Sequence, residues 1–414
     1  MLRVLLASLA TALLLAPAAT AAPPEADVRF ATFNASLNRN FTGQLISDLS
    51  TPDNQQAKNA AETIQRVRPD VLLINEFDFD AAGDALRLFQ DNYLSIGQSG
   101  AEPIFYPFRY TAPSNTGIPS GFDLNNNGRI EGGDDAFGFG FFEGQFGMAV
   151  YSMYPIDPTG IRTFQTFLWK DMPGNKLPDD PATPAPADWY SPAEQDVFRL
   201  SSKSHWDLPI LIGGKVVHFL TSHPTPPVFD GPEDRNGTRN FDEIRFWADY
   251  ITPGKSGYIY DDAGGTGGLK PGSLFVIAGD QNSDPLDGDS IPGSIQQLLE
   301  HPLVNAKVTP ESEGAVEQNR LQRGVNLTHR SDPRFDTADF GFSNLTASPP
   351  VFDTAPGNLR ADYVLPRKNM QIVDAEVFWP LPEDEFFRLV GLRVPGFPTS
   401  DHRLVWIDTT VPAN

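Results

Sequence analysis

The chain has 414 residues, a formal net charge of −22 at pH 7 and no cysteine. The lack of cysteine excludes disulfide bonds, thiolate catalysis and zinc sites built from cysteine. The negative charge argues against non-specific binding to the phosphate backbone of nucleic acids, although a metal ion and a few arginines can reverse the field inside one cleft.

The N-terminal segment has the pattern of a secretory signal. Arg3 precedes an unbroken apolar run, and the small residues Ala19-Thr20-Ala21 follow it. The run is shorter than the roughly 20 residues that a membrane-spanning helix needs, and no transmembrane segment is expected further along the chain. We therefore expect residues 1–21 to be a signal peptide and residues 22–414 to form a secreted, single-domain protein, extracellular or periplasmic.

The first elements after this segment alternate between strands and helices. Residues 28–33 predict an apolar strand, and residues 54–67 carry apolar positions at helical spacing until Pro69 ends the run. Residues 70–77 predict a strand that is buried on both faces, and residues 80–93 predict a second helix. This alternation is typical of α/β architecture.

The second half of the chain predicts further strands and one more long helix. The strands are expected at residues 146–152, 209–212, 215–223, 273–280, 361–366 and 403–408. Gly213 and Gly214 are typical of a two-residue hairpin, which would mix antiparallel strands into the sheet. The helix is predicted over residues 240–251. Proline and glycine concentrate in what we interpret as long surface loops inserted in the single domain, at about 103–145, 172–196 and 224–239.

Polar residues lie directly after several of these predicted strands. They are Asn34, Glu76, His223, Asp280 and Asn282. In α/β sheets the strand ends are rigid and open into a crevice, which is where binding sites are built. A single polar residue in such a place is more often a turn or a helix cap. The complementary set of residue types is what points to a site.

Seven short motifs of the chain resemble those of the endonuclease/exonuclease/phosphatase superfamily. They follow one another in the family's order: ATFN (31–34), PDVLLINE (69–76), GMAVYSMYPI (147–156), TSH (221–223), GDQN (279–282), ADYVL (361–365) and SDH (400–402). The superfamily includes pancreatic-type deoxyribonucleases, abasic-site endonucleases, inositol polyphosphate 5-phosphatases and bacterial sphingomyelinases. The resemblance implies a four-layer α/β sandwich with two packed, mixed and mostly antiparallel β-sheets flanked by helices.

The resemblance also implies a divalent cation, Mg²⁺ or Mn²⁺, at the mouth between the two sheets. Asn34 and Glu76 would hold this cation, and Asp401 would lie close by and act through water. Hard oxygen ligands suit a cation that keeps several waters and completes its shell with the phosphate. Lewis-acid activation of phosphorus toward attack by water is its implied role.

The remaining motif residues would carry the chemistry. Asp280 would orient or deprotonate the attacking water, and Asn282 would hold a phosphoryl oxygen. His402, paired with Asp362, would donate to the phosphate, the carboxylate fixing the tautomer of the imidazole. His223 would contact the phosphate or protonate the leaving group. Either Asp280 or the pair of His402 and Asp362 can be the general base.

A local basic set lies between and after the middle motifs. It consists of Arg199, Lys203, His205, Arg235 and Arg239. Such side chains suit the non-bridging oxygens of a phosphate, and Lys203 and His205 are our first choices. Ion pairs with neighbouring acids such as Glu233 and Asp234 are an equally open interpretation.

Residues 123–134 match the register of a calcium-binding loop. The ligand positions fall on Asp123, Asn125, Asn127, Arg129, Glu131 and Asp134, with Gly128 in the sixth position. Aspartate replaces the commoner glutamate in the twelfth position, which predicts a weaker, structural site for Ca²⁺. A turn rich in asparagine and glycine that binds no ion is the alternative.

Together these patterns predict a metal-dependent hydrolase of phosphomonoesters or phosphodiesters, acting as a phosphatase, phosphodiesterase or nuclease. The substrate stays open among nucleic acid, nucleotide, phospholipid head group and small phosphorylated metabolite, and no protein partner is evident. The alternative is a catalytically inactive, extracellular, calcium-dependent binding module on the same fold. Loss of Glu76, Asp280 or His402 would favour that alternative, and all three are present. A zinc hydrolase is disfavoured because the histidines lack close ligand spacing.

Overall fold

The computed structural model describes residues 26–412, so the predicted signal peptide at residues 1–21 lies outside the described part of the chain. The strands there are β1 Ala26–Leu37, β2 Val71–Phe77, β3 Phe108–Tyr110, β4 Met148–Ser152, β5 Arg162–Thr163, β6 His205–Ile212, β7 Lys215–Ser222, β8 Leu274–Asp280, β9 Ala338–Asp339, β10 Asn358–Leu359, β11 Asp362–Pro366, β12 Ile372–Val377 and β13 Val405–Val411. The α-helices are α1 Gln44–Leu49, α2 Gln55–Val67, α3 Asp84–Phe89, α4 Pro192–Gln195, α5 Arg235–Ile251, α6 Gln296–Leu299, α7 Glu313–Gln322 and α8 Phe387–Val390.

The strands form two main sheets with matching internal arrangements. The six-stranded sheet has the order β12-β13-β1-β2-β4-β3, and the five-stranded sheet has the order β11-β8-β7-β6-β5. In the first sheet β1 and β2 are parallel, in the second β7 and β8 are parallel, and the other neighbours are antiparallel. In each sheet, the carboxyl ends of the two parallel strands are therefore the expected place for a binding site.

The two sheets pack face to face, and helices cover their outer faces. Phe30 of β1 and Phe219 of β7 meet between the sheets, with ring centroids 5.7 Å apart. Alternate residues of a strand point to opposite faces. Ile64 of α2 therefore packs in the core outside the six-stranded sheet, and Trp247 of α5 in the core outside the five-stranded sheet. This order of helix, sheet, sheet and helix confirms the predicted four-layer α/β sandwich.

Helix α2 shows how local sequence signals set an element's limits. The side chain of Asn54 accepts a hydrogen bond from the Ala57 amide at 3.0 Å and so caps the N-terminus. Arg68 adopts the left-handed conformation at the C-terminus, directly before Pro69. The predicted second helix is shorter than expected, because α3 ends at Phe89 and continues as a π-helical turn over Gln90–Leu94. Strand β12 and helix α7 were not predicted.

The first long insert, at about residues 103–145, is partly built into the interior. Asn115 is fully buried, and its amide group donates to the carbonyls of Gln165 and Ser201 at 2.7 Å each. Buried amide groups of this kind fix a loop because leaving them unpaired would be costly. The insert therefore belongs to the rigid surroundings of the sheets. Among residues 26–412, no helix combines the length and apolarity needed to cross a membrane.

Candidate active site

The amide side chain of Asn34 joins the two sheets at the ends of their parallel strands. Its Nδ2 donates to Oε1 of Glu76 at 3.1 Å and to Oδ2 of Asp280 at 3.1 Å. Glu76 belongs to β2 beside β1, whereas Asp280 ends β8 in the other sheet. Three residues far apart in sequence therefore meet in the crevice between the sheets, as the strand-end pattern predicts.

Glu76 is the acidic side chain on the six-stranded side of this crevice. Its pKa is raised to about 7, first by burial and then by the nearby charge of Asp401, while His402, Asn34 and Lys203 act in the opposite direction. Glu76 also has a φ of 57°, a conformation that costs free energy for a residue other than glycine. The charge of Asp401 thus acts on the buried carboxylate of Glu76 with only partial compensation by nearby cations, which is a setting that a bound cation would relieve.

A hydrogen-bonded chain of acids and histidines occupies the other side of the crevice. Nδ1 of His402 lies 2.9 Å from Oδ2 of Asp362, and its Nε2 lies 3.5 Å from Oδ2 of Asp280. Nε2 of His223 lies 3.3 Å from the same Asp280 oxygen. The candidate ligand atoms of Asp280, Asp362 and His402 all fall within 4.8 Å of one another. The structure thus brings together all four of these predicted residues.

The charges in this chain set the protonation of the two histidines apart. Burial opposes the charge of His402, but Asp362 and Asp280 outweigh it and hold its pKa well above the usual range. Burial and the charge of Lys203 lower the pKa of His223 to about 4. Burial disfavours the charge of Asp280, yet His402 and His223 outweigh it and lower its pKa. The neighbouring acids therefore favour the charged form of His402, whereas burial favours the neutral form of His223.

The pKa of Asp362 is raised, whereas that of Asp280 is lowered. Burial raises the pKa of Asp362 to about 6 although the charge of His402 acts in the opposite direction. Asp362 shares its Oδ2 between His402 and the hydroxyl of Thr337, which donates at 2.8 Å. Its Oδ1 is buried and has no hydrogen-bond partner within residues 26–412. The carboxylate thus orients the imidazole of His402 from the side away from Asp280.

Asn282 and Asp401 lie at the edges of the same crevice. The Asn282 amide donates to Oδ1 of Asp280 at 2.9 Å, and its Nδ2 donates to the carbonyl of Pro224 at 3.1 Å. Asn282 has a φ of 50°, so its backbone turns sharply directly after β8. Asp401 is half-buried and precedes His402, and its main-chain carbonyl accepts from the Asp339 amide at 2.8 Å.

Lys203 is the basic residue that the structure places against these acids. It is buried, and its charge is attracted by Glu243, Glu76 and Asp280, although burial lowers its pKa overall. Its neighbour in the prediction, His205, is a core residue instead. Nδ1 of His205 pairs with the Ser201 hydroxyl at 2.7 Å, and its Nε2 donates to the Glu243 carbonyl at 2.9 Å. Because both ring nitrogens are engaged, His205 has none left for a phosphate.

The three predicted arginines have partners of their own. Arg199 donates to Oδ1 of Asn115 at 2.6 Å and lies over the ring of Phe137. Arg235 pairs with Glu233, as the ion-pair interpretation of the sequence had it. Arg239 is buried and donates to main-chain carbonyls, at 2.8 Å to Leu200, 2.9 Å to Arg199 and 2.5 Å to Phe137. All three guanidinium groups are therefore bound to other groups of the protein.

Three further polar residues support the crevice and were not singled out from the sequence. Asn75 accepts from the Asp280 amide at 3.1 Å, and its position inside an otherwise apolar strand was a usable signal. The Ser400 hydroxyl donates to the Asn34 carbonyl at 2.7 Å and accepts from the His402 amide at 3.1 Å. Thr337 carried no sequence signal, because it lies in a short segment outside the motifs.

The predicted calcium loop lies on the surface of the first insert. The Asp123 carboxylate accepts from the amides of Asn127 at 3.0 Å and Gly128 at 2.7 Å. Asp134, in the twelfth position, is exposed, whereas Asp135 is buried and accepts from the Glu131 amide at 2.7 Å. The carboxylate that accepts from the loop's main chain is therefore that of Asp135, one residue after the predicted twelfth position at Asp134.

Comparison with known proteins gives a family and a group of distant structures. Residues 31–402 match a sequence model described as the Endonuclease/Exonuclease/phosphatase family. An endonuclease/exonuclease/phosphatase from Beutenbergia cavernae is 15% identical, with a TM-score of 0.47 over 93% of this chain and 72% of that one. Truncated TDP2 from Caenorhabditis elegans is 15% identical, with a TM-score of 0.42 over 93% and 98% of the two chains. Sphingomyelinase C from Streptomyces griseocarneus is 12% identical, with a TM-score of 0.44 over 92% and 99%. No curated protein shows significant sequence similarity to the chain.

Proposed function

Because the chain belongs to the endonuclease/exonuclease/phosphatase family of phosphoester hydrolases, we propose that it cleaves its substrate by attack of water on phosphorus, assisted by Mg²⁺ or Mn²⁺. The observation that carries the proposal is the pair of hydrogen bonds from Asn34 to Glu76 and Asp280. These bonds join a carboxylate suited to a cation with one suited to a water molecule. The substrate is a phosphomonoester or phosphodiester.

The residues around Glu76 fit a hard divalent cation. Glu76 and Asp401 repel each other, as the raised pKa of Glu76 reflects, and Asn34 adds an amide. When bound, the cation would supply Lewis-acid stabilisation of the charge that develops on phosphorus. The cluster of Asp280, Asp362 and His402 suits a cation less well, because a charged imidazole carries a proton on both ring nitrogens and has no lone pair to offer.

The opposite side of the crevice suits proton handling and charge stabilisation. Asp280, kept ionised by the two histidines, would orient the attacking water, and either Asp280 or the pair of His402 and Asp362 would accept its proton. His402 would donate to a phosphoryl oxygen, and Lys203 would stabilise negative charge in the transition state. Neutral His223 would contact the phosphate or the leaving group. Asn282 would hold a further phosphoryl oxygen.

Secretion and a calcium ion in the first insert complete the proposal. The sequence pattern before residue 22 supports export. The bonds from the amides of Asn127 and Gly128 to Asp123 support a loop already folded around its first ligand position. A calcium ion there would stabilise the insert, since extracellular calcium makes even a weak site useful.

The test compares purified protein on bis(p-nitrophenyl) phosphate, p-nitrophenyl phosphate, plasmid DNA and sphingomyelin, with Mg²⁺ and with EDTA. We expect Mg²⁺-dependent turnover on at least one substrate and its loss in His402→Ala. Glu76→Gln should lower turnover by about 10²- to 10⁴-fold at unchanged melting temperature and weaken Mg²⁺ binding measured by calorimetry. Near-normal turnover in that variant would remove Glu76 from the cation site. No turnover on any substrate would favour the binding module.

A further inference from the structure

Helix α5 presents two fully buried polar side chains to the segments that carry the candidate site residues. Asn240 and Glu243 are both 0% exposed. They lie nearly one helical turn apart, so both point to the same side of the helix. Because neither side chain reaches solvent, both must find their hydrogen-bond partners inside the protein, and these partners indicate their role.

The carboxylate of Glu243 accepts hydrogen bonds from two separate segments of the chain. Its Oε1 accepts from the Ser202 amide at 2.6 Å, directly before Lys203. Its Oε2 accepts from the Thr225 amide at 2.6 Å, two residues after His223. Short bonds from main-chain amides to a buried carboxylate are among the stronger hydrogen bonds in proteins. Glu243 therefore helps to fix Lys203 relative to His223, together with the bond from the Ser202 hydroxyl to the His223 carbonyl at 3.3 Å.

Asn240 extends the same link to the third segment of the site. Its Nδ2 donates to the carbonyl of Thr225 at 2.9 Å and to the carbonyl of Gln281 at 2.9 Å. Gln281 lies between Asp280 and Asn282. One turn of α5 thus holds the segments around Lys203, His223 and Asp280 in a single arrangement.

Glu243 also balances the charge around Lys203. Lys203 and Arg239 are both buried, and each is attracted by the charge of Glu243. Arg239 binds the carbonyls of Leu200 and Arg199, in the segment that leads to Lys203. A buried cation is tolerated only when paired, so Glu243 helps to keep Lys203 in the crevice.

We infer that Glu243, assisted by Asn240, is a positioning residue that fixes Lys203, His223 and Asp280 relative to one another for phosphoester hydrolysis. The inference rests on the proposed function of those three residues. Glu243 does not touch the substrate, so its effect passes through the segments that it holds. Misplacement of catalytic groups by about 1 Å lowers rates by about 10²-fold, and this is the effect that its removal should have.

The test is Glu243→Gln, which keeps the size of the side chain but removes its charge and one of its two acceptor oxygens. We expect kcat to fall about 10- to 100-fold with little change in KM. Amide hydrogen exchange should become faster in the segments around Ser202 and Thr225. The exchange measurement needs no turnover, so it tests the positioning role even if the proposed substrate classes are wrong.

Asp242→Asn is the matched control, because Asp242 is also on α5 and fully buried. It accepts from the indole of Trp169 at 2.7 Å and from the Lys176 amide at 2.6 Å, on the side of the second long insert. We expect Asp242→Asn to lower the melting temperature while kcat, KM and exchange at Ser202 and Thr225 stay unchanged. If Glu243→Gln does not fold, Asn240→Ala provides the same comparison. The inference would be overturned if Glu243→Gln and Asp242→Asn had the same kcat. It would also be overturned if hydrogen exchange at Ser202 and Thr225 were unchanged in Glu243→Gln.

Discussion

At the scale of single residues, desolvation and the nearest counter-charge decide what each buried acid does. Burial raises the pKa of Glu76 to about 7 because the neighbouring Asp401 adds repulsion and the nearby cations only partly offset it. The same burial leaves Asp280 with a lowered pKa because His402 and His223 outweigh it. Residue type alone would have made these two carboxylates equivalent. Under the proposed function, their partners suit Glu76 to a cation and Asp280 to a water molecule.

Asp362→Asn tests the orientation of His402. The amide keeps the size of the side chain but removes the charge that faces Nδ1 of His402 at 2.9 Å. We expect kcat to fall by about 10²- to 10⁴-fold with a small change in melting temperature, since the imidazole loses its counter-charge and the amide has only one oxygen left to accept from it. Steady-state kinetics on the best substrate of the screen measures this. Thr337→Ser, which keeps the hydroxyl beside Asp362, should stay close to wild type, and equal losses in both variants would contradict the role.

Asp336→Asn tests the cost of an isolated buried acid. Asp336 is 1% exposed, neither of its oxygens has a hydrogen-bond partner between residues 26 and 412, and burial together with Asp284 and Asp287 holds its pKa well above the usual range. A raised folded-state pKa means that this group's contribution is present below the unfolded pKa of about 4 and is lost as pH rises towards the folded pKa.

Asparagine at this position has no charge to bury, so the variant does not lose this part of its free energy of unfolding as pH rises. We therefore expect Asp336→Asn to equal wild type near pH 4 and to exceed its free energy of unfolding by about 1–3 kcal/mol at pH 8. Urea denaturation at a series of pH values measures this. A variant that is less stable than wild type at pH 8 would show that Asp336 is ionised and neutralised by a bound cation.

At the scale of elements, the site is built where strands stop and where one helix crosses behind them. Asp280 ends its strand, and Asn34 and Glu76 lie in the last residues of theirs, because parallel pairs in both sheets bring their carboxyl ends to one crevice. Helix α5 then ties the connecting segments together through Asn240 and Glu243. Loops alone would leave these residues mobile, whereas a buried helix turn fixes them.

The calcium loop is the element whose role is most open to a direct test. Asp123→Ala and Asp134→Ala should lower the melting temperature only when Ca²⁺ is supplied, because a ligand that binds the folded state alone stabilises it by about 1–3 kcal/mol at a moderate excess. Thermal unfolding with Ca²⁺ and with EDTA measures this. Asp53→Ala, at an exposed position outside the loop, is the control. An unchanged calcium response in both loop variants would exclude the site.

At the scale of the whole molecule, the net charge of −22 surrounds a crevice that must accept a phosphate. Lys203 and His402 supply positive charge inside it, and Arg199, Arg235 and Arg239 are bound to other groups. Long-range repulsion therefore acts on any large polyanion, while a small phosphoester needs to meet only the local field.

The salt dependence of turnover tests this balance. We expect kcat/KM on plasmid DNA to rise a few-fold between about 50 and 200 mM salt, because screening weakens the repulsion. Turnover of bis(p-nitrophenyl) phosphate should change little over the same range and serves as the control. A steep fall on DNA with added salt, typical of proteins that neutralise many phosphates, would point to a basic surface for nucleic acid.

The sequence by itself predicted α/β architecture from the alternation of strands and helices, and its seven short motifs in a fixed order pointed to the family and, through that resemblance, to the four-layer sandwich. Hydrophobic periodicity and strand-end residues are local properties, so they survive without coordinates. The basic set could not be resolved in this way. Lys203 and His205 are two residues apart in the same segment, yet the charge of Lys203 interacts with Glu76 and Asp280 while His205 lies in the core beside Trp247.

Only the tertiary structure decided which partner each polar group has, and therefore its charge and role. Glu243 and Thr337 lie outside every motif, because their function depends on contacts with segments 18 to 41 residues away in sequence. His402 and His223 look alike in sequence, yet the pKa of His402 is raised by its neighbouring acids and that of His223 is lowered by burial. Desolvation and pairing are set by packing in three dimensions, and no local pattern of residues encodes them.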